Sequence, residues 1–304
     1  AIHTVLSALT RAGDTIVSSR EIYGGTYSLF ERTMPRRGVS VRYVDPHDLA
    51  GVASALAGAN VFYVETIANP LCSVADLPAL AELCAAAGVT TVVDSTFATP
   101  YLCTPAELGY DFVVHSATKF IGGHSDLLAG VVCCSSANRD LLRDSALDTG
   151  GAMQPFEAWL CVRGLQTMEL RMERHCRSAA GLASALSAEP SVVAVHYPGL
   201  RSHPQHRVAR EQLRKDLYGG ILSFEVGGGP ADVATVCERL RIAWRGASLG
   251  GAHTLVTHPA STTHRQMDAQ ARRAAGLPDG LVRVSVGLED ITDLMADFRQ
   301  ALRG

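Results

Sequence analysis

The sequence predicts an α/β fold: a large first domain on a mostly parallel sheet, and a smaller C-terminal α/β domain behind it. Three observations carry this. Short β-branched runs alternate with helical stretches through the first half of the chain. Several of those runs are almost uniformly apolar, as strands are when helices cover both faces of a sheet. Past residue 155 the pattern turns to long helix and then to a new set of strands. Strand and helix in alternation argue for parallel crossovers, and an open sheet of that kind takes its ligand at the carboxyl ends of its strands.

In chain order, AIHTVLSALTRAG opens on a helical apolar pattern with no methionine, cap or leader ahead of it, so we expect the front of the chain to be missing from this sequence. Strands are predicted at TIVSS (15–19), VSVRYV (39–44), NVFYVE (60–65), TTVVDST (90–96), DFVVHS (111–116) and AGVVCCS (129–135). The clearest helix is DLPALAELCAAAG (76–88), with Asp76 as cap, Pro78 in the first turn and Gly88 just past the end. Residues 155–188 read as helix with a break near Gly164. VVAVHYP, GGILSFEVGGG, a helix near 231–241 and a closing α/β piece ending in DLMADFRQALR complete the chain. The expected domains are 1–170 and 171–304, hinged through the helical stretch near 170.

Composition narrows the function. With 47% hydrophobic and 19% charged residues, 304 residues suit a globular protein with a real core. A net charge of −3 gives no electrostatic case for nucleic acid or an anionic membrane. The eight cysteines form no C-x-x-C pair and sit mostly in apolar runs, which reads as a reducing, cytoplasmic setting. We read no signal peptide and no membrane-length apolar run. His258 and His264 flank PAST, and His203 lies near His206, but neither spacing is H-E-x-x-H; loop and capping roles are expected, and no metal. The glycines at 122–123 and 227–229 fit neither nucleotide-binding pattern.

Chemistry concentrates at the predicted strand ends. Asp94 ends one apolar strand and Lys119 follows another, so both face one crevice. Alone, such a pair would read as a structural ion pair or two solvated loop residues. Ser116 and Thr118, two apart, put two hydroxyls on one side of an extended segment, which suits a phosphate. A desolvated lysine suits an aldehyde, and a buried carboxylate suits the ring nitrogen of pyridoxal phosphate (PLP). Arg283, between strand valines, needs an anionic partner or an exit to solvent. Tyr23 alone would read as a half-buried aromatic, and Asn69 before Pro70 as a turn residue.

VVHSATKFIGGHSDLLAGVV (113–132) resembles the lysine segment of the PLP-dependent enzymes of Cys/Met metabolism: cystathionine γ-synthase, the cystathionine lyases, methionine γ-lyase and O-acetylhomoserine sulfhydrylase. YGGTYSLFE (23–31), ETIANP (65–70), VVDSTFATPYL (92–102), SLGGAHTLVTHPASTTH (248–264) and LVRVSVGLED (281–290) follow in that family's order, so the resemblance covers essentially the whole chain. It implies the type I fold of PLP-dependent transferases, like that of aspartate aminotransferase. It also implies that Lys119 carries the cofactor as a Schiff base and then shuttles protons, and that Asp94 pairs with the pyridine nitrogen. Ser116 and Thr118 would bind the phosphate, and Tyr23 would stack on the ring and protonate the departing thiol. Asn69 would lie near the cofactor's phenolic oxygen and the substrate carboxylate, Arg283 would clamp that carboxylate, and Ser248 would position lysine and substrate. The resemblance further implies a homotetramer built from dimers. Ahead of Ala1 it implies a Tyr and an Arg that reach a neighbour's phosphate, and a Ser-Gly-Met-like turn.

Among the family's reactions, Ala247 stands where an acidic residue commonly precedes the serine in cystathionine γ-synthases and γ-lyases, and the HPASTTH form leans the same way, toward methionine γ-lyases and sulfhydrylases. Gly25, where methionine γ-lyases often carry Cys, and His253, where Glu is frequent, pull back. The expected reaction is γ-elimination from L-methionine or L-cystathionine, giving 2-oxobutyrate, ammonia and a thiol. The alternative is γ-replacement, as in cystathionine γ-synthase or O-acetylhomoserine sulfhydrylase. A non-catalytic binding relative is a third reading, against which the intact Tyr23, Asp94, Lys119 and Arg283 speak.

Overall fold

The computed structural model describes residues 1–262 and 276–303. Its first sheet is built from β1 (Thr15–Ser19), β2 (Ser40–Val44), β3 (Val61–Glu65), β4 (Thr90–Asp94), β5 (Phe112–Ser116) and β6 (Gly130–Cys134), in the order β2-β1-β3-β4-β5-β6. Every pairing is parallel except β5 with β6. β1 and β3 are buried along their whole length, so their sequence shows no alternation. Each of these strands lies within two residues of its predicted span. The helix Leu77–Ala87 starts where expected: the Asp76 carboxylate accepts the Ala79 N–H at 3.2 Å, and Gly88 closes the end in the left-handed conformation. A cap of this type contributes about 1 kcal/mol.

The predicted break near Gly164 is real. Two helices, Pro155–Leu165 and Met168–Ser187, meet there. A Cβ on Gly164 would stand 2.4 Å from the Ile121 carbonyl oxygen and 2.6 Å from that of Gly122, so the glycine lets the helix press directly on the turn that follows β5.

The second sheet comprises β7 (Val192–His196), β8 (Ile221–Val226), β9 (Trp244–Arg245), β10 (Leu255–Thr257) and β11 (Leu281–Ser285), ordered β7-β8-β11-β10-β9. It is antiparallel apart from the short β9–β10 pair. The helices Met168–Ser187 and Ile291–Arg303 supply Leu182, Leu186, Leu294 and Phe298 to its core. The core under the first sheet does not stop at that sheet: Phe120, Cys72 and Val93 share it with Met172, Cys176, Ile221 and Leu249. This shared apolar layer sets loops of the second sheet against the carboxyl edge of the first.

Candidate active site

β3, β4 and β5 run parallel, so Glu65, Asp94 and Ser116 arrive together at one edge of the sheet. The chain then turns. The Lys119 N–H donates to the Ser116 carbonyl at 3.1 Å and the Gly123 N–H to the Lys119 carbonyl at 2.8 Å, which fixes the lysine just beyond the strand end. From the second sheet, Gly250 presses on the same turn with φ +77°; a Cβ there would lie 2.6 Å from the Phe120 nitrogen. A non-glycine residue would be strained and would also collide.

These elements enclose a cavity of about 670 Å3, within the roughly 300–1,000 Å3 usual for small-molecule sites. Tyr23, Asn69, Asp94, Ser116, Thr118, Lys119 and Arg283 line it, with Glu65, Thr96 and Ala247. Ser248 joins them by accepting from the Lys119 ammonium at 3.1 Å. All eight residues singled out in the sequence therefore come together. Five of them, Tyr23, Asn69, Asp94, Ser248 and Arg283, lie more than twenty residues from Lys119 in the sequence.

Arg283 on β11 is 1% exposed. Its guanidinium donates to the Asn69 side-chain carbonyl (3.1 Å) and to the main-chain carbonyls of Ala247 (3.1 Å) and Ser248 (2.9 Å). Its Nε has no partner among the described residues. Burial pulls its pKa down to about 10. So a buried cation at the cavity wall is held by neutral oxygens alone, with a donor to spare, which is the setting for an anion. Burial, and after it the Arg283 charge, also lowers the Lys119 pKa. Burial raises the Asp94 carboxyl, while the Thr96 N–H at 2.9 Å opposes that shift.

Three features went unread in the sequence. Arg171, 5% exposed in the helix Met168–Ser187, donates to the carbonyls of Phe120 (2.7 Å), Ile121 (3.2 Å) and Gly164 (2.7 Å), clamping the turn behind Lys119. It sits in the charged text MELRMERH, where nothing marks it as buried. Glu65 ends an apolar strand as Asp94 does, and that signal was available. The Thr118 hydroxyl is tied to Ala129, donating to its carbonyl (3.2 Å) and accepting from its N–H (2.9 Å), whereas the Ser116 N–H is bound by Thr96. The histidines make loop contacts: His258 with Ser261 and the Asp279 carbonyl, His206 with the Pro198 carbonyl. His253 stacks on Trp244 at 4.5 Å, outside the cavity lining. His264 lies outside the described residues.

The profile of a family described as Cys/Met metabolism PLP-dependent enzyme matches residues 1–303. The chain is 43% identical to the L-methionine gamma-lyase of Pseudomonas putida, across 100% of this chain and 76% of that protein. It is 40% identical to the homocysteine synthase of Schizosaccharomyces pombe, across 99% and 79%. Among solved structures, cystathionine gamma synthase from Xanthomonas oryzae pv. oryzae, in complex with aminoacrylate and cysteine, superposes with a TM-score of 0.96 at 38% identity, covering 99% of this chain and 78% of that one.

The cavity suits the cofactor that this family name carries. A half-buried lysine with a lowered proton affinity offers an amine to an aldehyde. A half-buried carboxylate ending β4 and lining the cavity offers an acceptor to a ring N–H.

Proposed function

The chain belongs to the PLP-dependent enzymes of Cys/Met metabolism, and within that family we propose that it is a carbon–sulfur lyase acting by γ-elimination. L-Methionine, or a related thioether such as L-cystathionine, would give 2-oxobutyrate, ammonia and a thiol. One observation carries this reading beyond the family. Ala247 lines the cavity, and the Arg283 guanidinium binds its carbonyl, so a methyl group stands where cystathionine enzymes commonly place an acid. An apolar wall suits a methylthio group better than a second amino-acid head. The opposing sign from His253 loses weight, since that ring is stacked on Trp244.

When bound, PLP makes the substrate's α-proton acidic by drawing electrons into its ring. The chain's own residues do the rest. Lys119 takes the proton from Cα, would hand it on to the cofactor's aldehyde carbon, and with its amine free again takes a second from Cβ, a task for an amine that burial keeps from holding a proton tightly. Ser248, 3.1 Å from Nζ, accepts from the amine and holds it in place at the cavity. The Tyr23 phenol gives its proton to the sulfur leaving Cγ. Arg283 takes the substrate carboxylate, its orientation fixed by Asn69 and the loop carbonyls. Asp94 holds the proton on the ring nitrogen, with Ser116 and Thr118 on the phosphate. Thr118 reaches a phosphate by releasing its donor from Ala129 while still accepting the Ala129 N–H.

Release of 2-oxobutyrate from L-methionine by the PLP-loaded protein is the test, with L-cystathionine run beside it. Lys119→Ala is expected to abolish release. A yellow protein that ignores both substrates yet consumes O-acetylhomoserine with a thiol would overturn elimination in favour of replacement.

We also place the boundary between the larger and smaller domains at residues 170–171, near the start of the helix Met168–Ser187. A cytoplasmic location is consistent with eight free cysteines, and no helix among the described residues is long and apolar enough to cross a membrane. A homotetramer is supported by the exposed apolar face on the helix Pro155–Leu165.

A further inference from the structure

Glu65 and Asp94 end neighbouring parallel strands at paired positions of the ladder, so their side chains emerge side by side into one cavity. Glu65 is the deeper of the two, 6% exposed. Its Oε1 accepts the Tyr23 N–H at 2.6 Å, with the Asn69 N–H as a second, weaker donor. No cation among the described residues reaches it. Lys119 is committed to Ser248, and Arg283 to Asn69 and the loop carbonyls. The charged groups that act on Glu65 are anions: Asp94 from β4 and, further off, Glu21 from the loop after β1. From its own strand, the Tyr63 phenol is fully buried beside Asp94 and Thr26 without good hydrogen-bond geometry to either.

Two carboxylates cannot both ionise cheaply in such a place. Asp94 is the more open to the cavity and has the Thr96 N–H on one oxygen, so the charge belongs there. We propose that Glu65 is a positioning residue, a neutral carboxylic acid that holds the backbone of Tyr23 and leaves the single negative charge of the pair on Asp94. The proton sits on Oε2, and Oε1 remains the acceptor for Tyr23. Burial and the neighbouring anion push the Glu65 carboxyl well above its ordinary range, as this arrangement requires. The proposal rests on the reading of Tyr23 and Asp94 given above, but the protonation state can be tested apart from turnover.

The sign of the linkage is definite. Above the ordinary glutamate range the unfolded chain releases this proton and the folded chain keeps it, so stability falls as pH rises toward the folded value. Glu65→Gln preserves the acceptor and has no proton to release. Melting temperatures of the holoenzyme and of its Glu65→Gln variant, measured from pH 5 to pH 8, should diverge, with the variant gaining on the wild type as pH rises. An infrared difference spectrum of the two should also show a protonated carboxyl C=O band at pH 7 that belongs to Glu65. Parallel melting curves and no such band would overturn the proposal, whether or not the enzyme turns over methionine. In kinetics, Glu65→Ala should lower kcat on the order of tenfold, the cost of one lost hydrogen bond in holding Tyr23, and Glu65→Gln should recover most of it. A loss in Glu65→Gln as large as in Glu65→Ala would mean that a charged Glu65 is needed, against the proposal. Failure of γ-elimination with the band present would strike the functional reading alone.

Discussion

Arg283 shows how much one buried charge organises. Its planar fork meets three oxygens from two separate loops, and a lysine offers only a point charge on a flexible stem. Arg283→Lys should therefore leave at least two of those carbonyls without their donor. We expect KM for the amino acid to rise at least tenfold with a smaller effect on kcat, read by steady-state release of 2-oxobutyrate. The same guanidinium lowers the Lys119 pKa after burial has done so first. Removing the charge with Arg283→Gln takes away the repulsion that disfavours the ammonium, so Lys119 should keep its proton to higher pH. Competitive labelling of the amine in cofactor-stripped protein would show the midpoint moving up; a midpoint unchanged or lower would mean that the two cations do not sense each other.

Elements were legible where burial and covalent constraint left marks in the sequence. β1, β3 and β5 are apolar because they are covered, and Gly164 marks a helix break because nothing larger fits against the Ile121 and Gly122 carbonyls. β9 escaped detection because its two residues, Trp244 and Arg245, are both exposed and carry no pattern. Asp94, Lys119 and Arg283 were readable because each is a charge set in apolar text. Arg171 was not, because its neighbours on the helix are charged too, and its three acceptors lie about fifty residues away and at the end of the preceding helix. That hidden contact predicts a stability effect at the scale of the packed helix. Arg171→Met leaves the Phe120 and Ile121 carbonyls behind the Lys119 turn without their donor, while the Gly164 carbonyl keeps the Thr167 N–H at 3.2 Å. Each carbonyl that water cannot reach costs about 1–3 kcal/mol. Thermal or urea denaturation should show a loss of at least 2–3 kcal/mol in total, about the cost of one such group alone. Gly164→Ala should push the helix Pro155–Leu165 off the same turn for about 1–3 kcal/mol. A melting temperature unchanged in both variants would contradict this account of the contact.

At the scale of the whole molecule, one surface is too apolar for a single chain in water. Phe156, Trp159, Val162 and Leu165 stand exposed on one helix, and Leu170, 72% exposed, continues the patch onto the next. The Phe156 and Trp159 rings stack at 5.8 Å, a preorganised aromatic pair that stands exposed among the described residues. Contiguous exposed apolar patches on soluble proteins mark association, and buried aromatic anchors carry most of an interface's energy. The helix bearing them packs through Gly164 on the turn after Lys119, so an interface here would also brace the cavity. Sedimentation of the wild-type protein should then give an assembly, of four chains where the proposed homotetramer holds, and Trp159→Glu, which would bury an unpaired carboxylate at the contact, should yield smaller species. A dissociation of 2 kcal/mol or more per anchor corresponds to roughly a thirtyfold weaker association. If the wild type sediments as one chain at micromolar concentration, the patch is not an assembly surface. If Trp159→Glu leaves the assembly intact, the chains meet elsewhere and the aromatic pair needs another explanation.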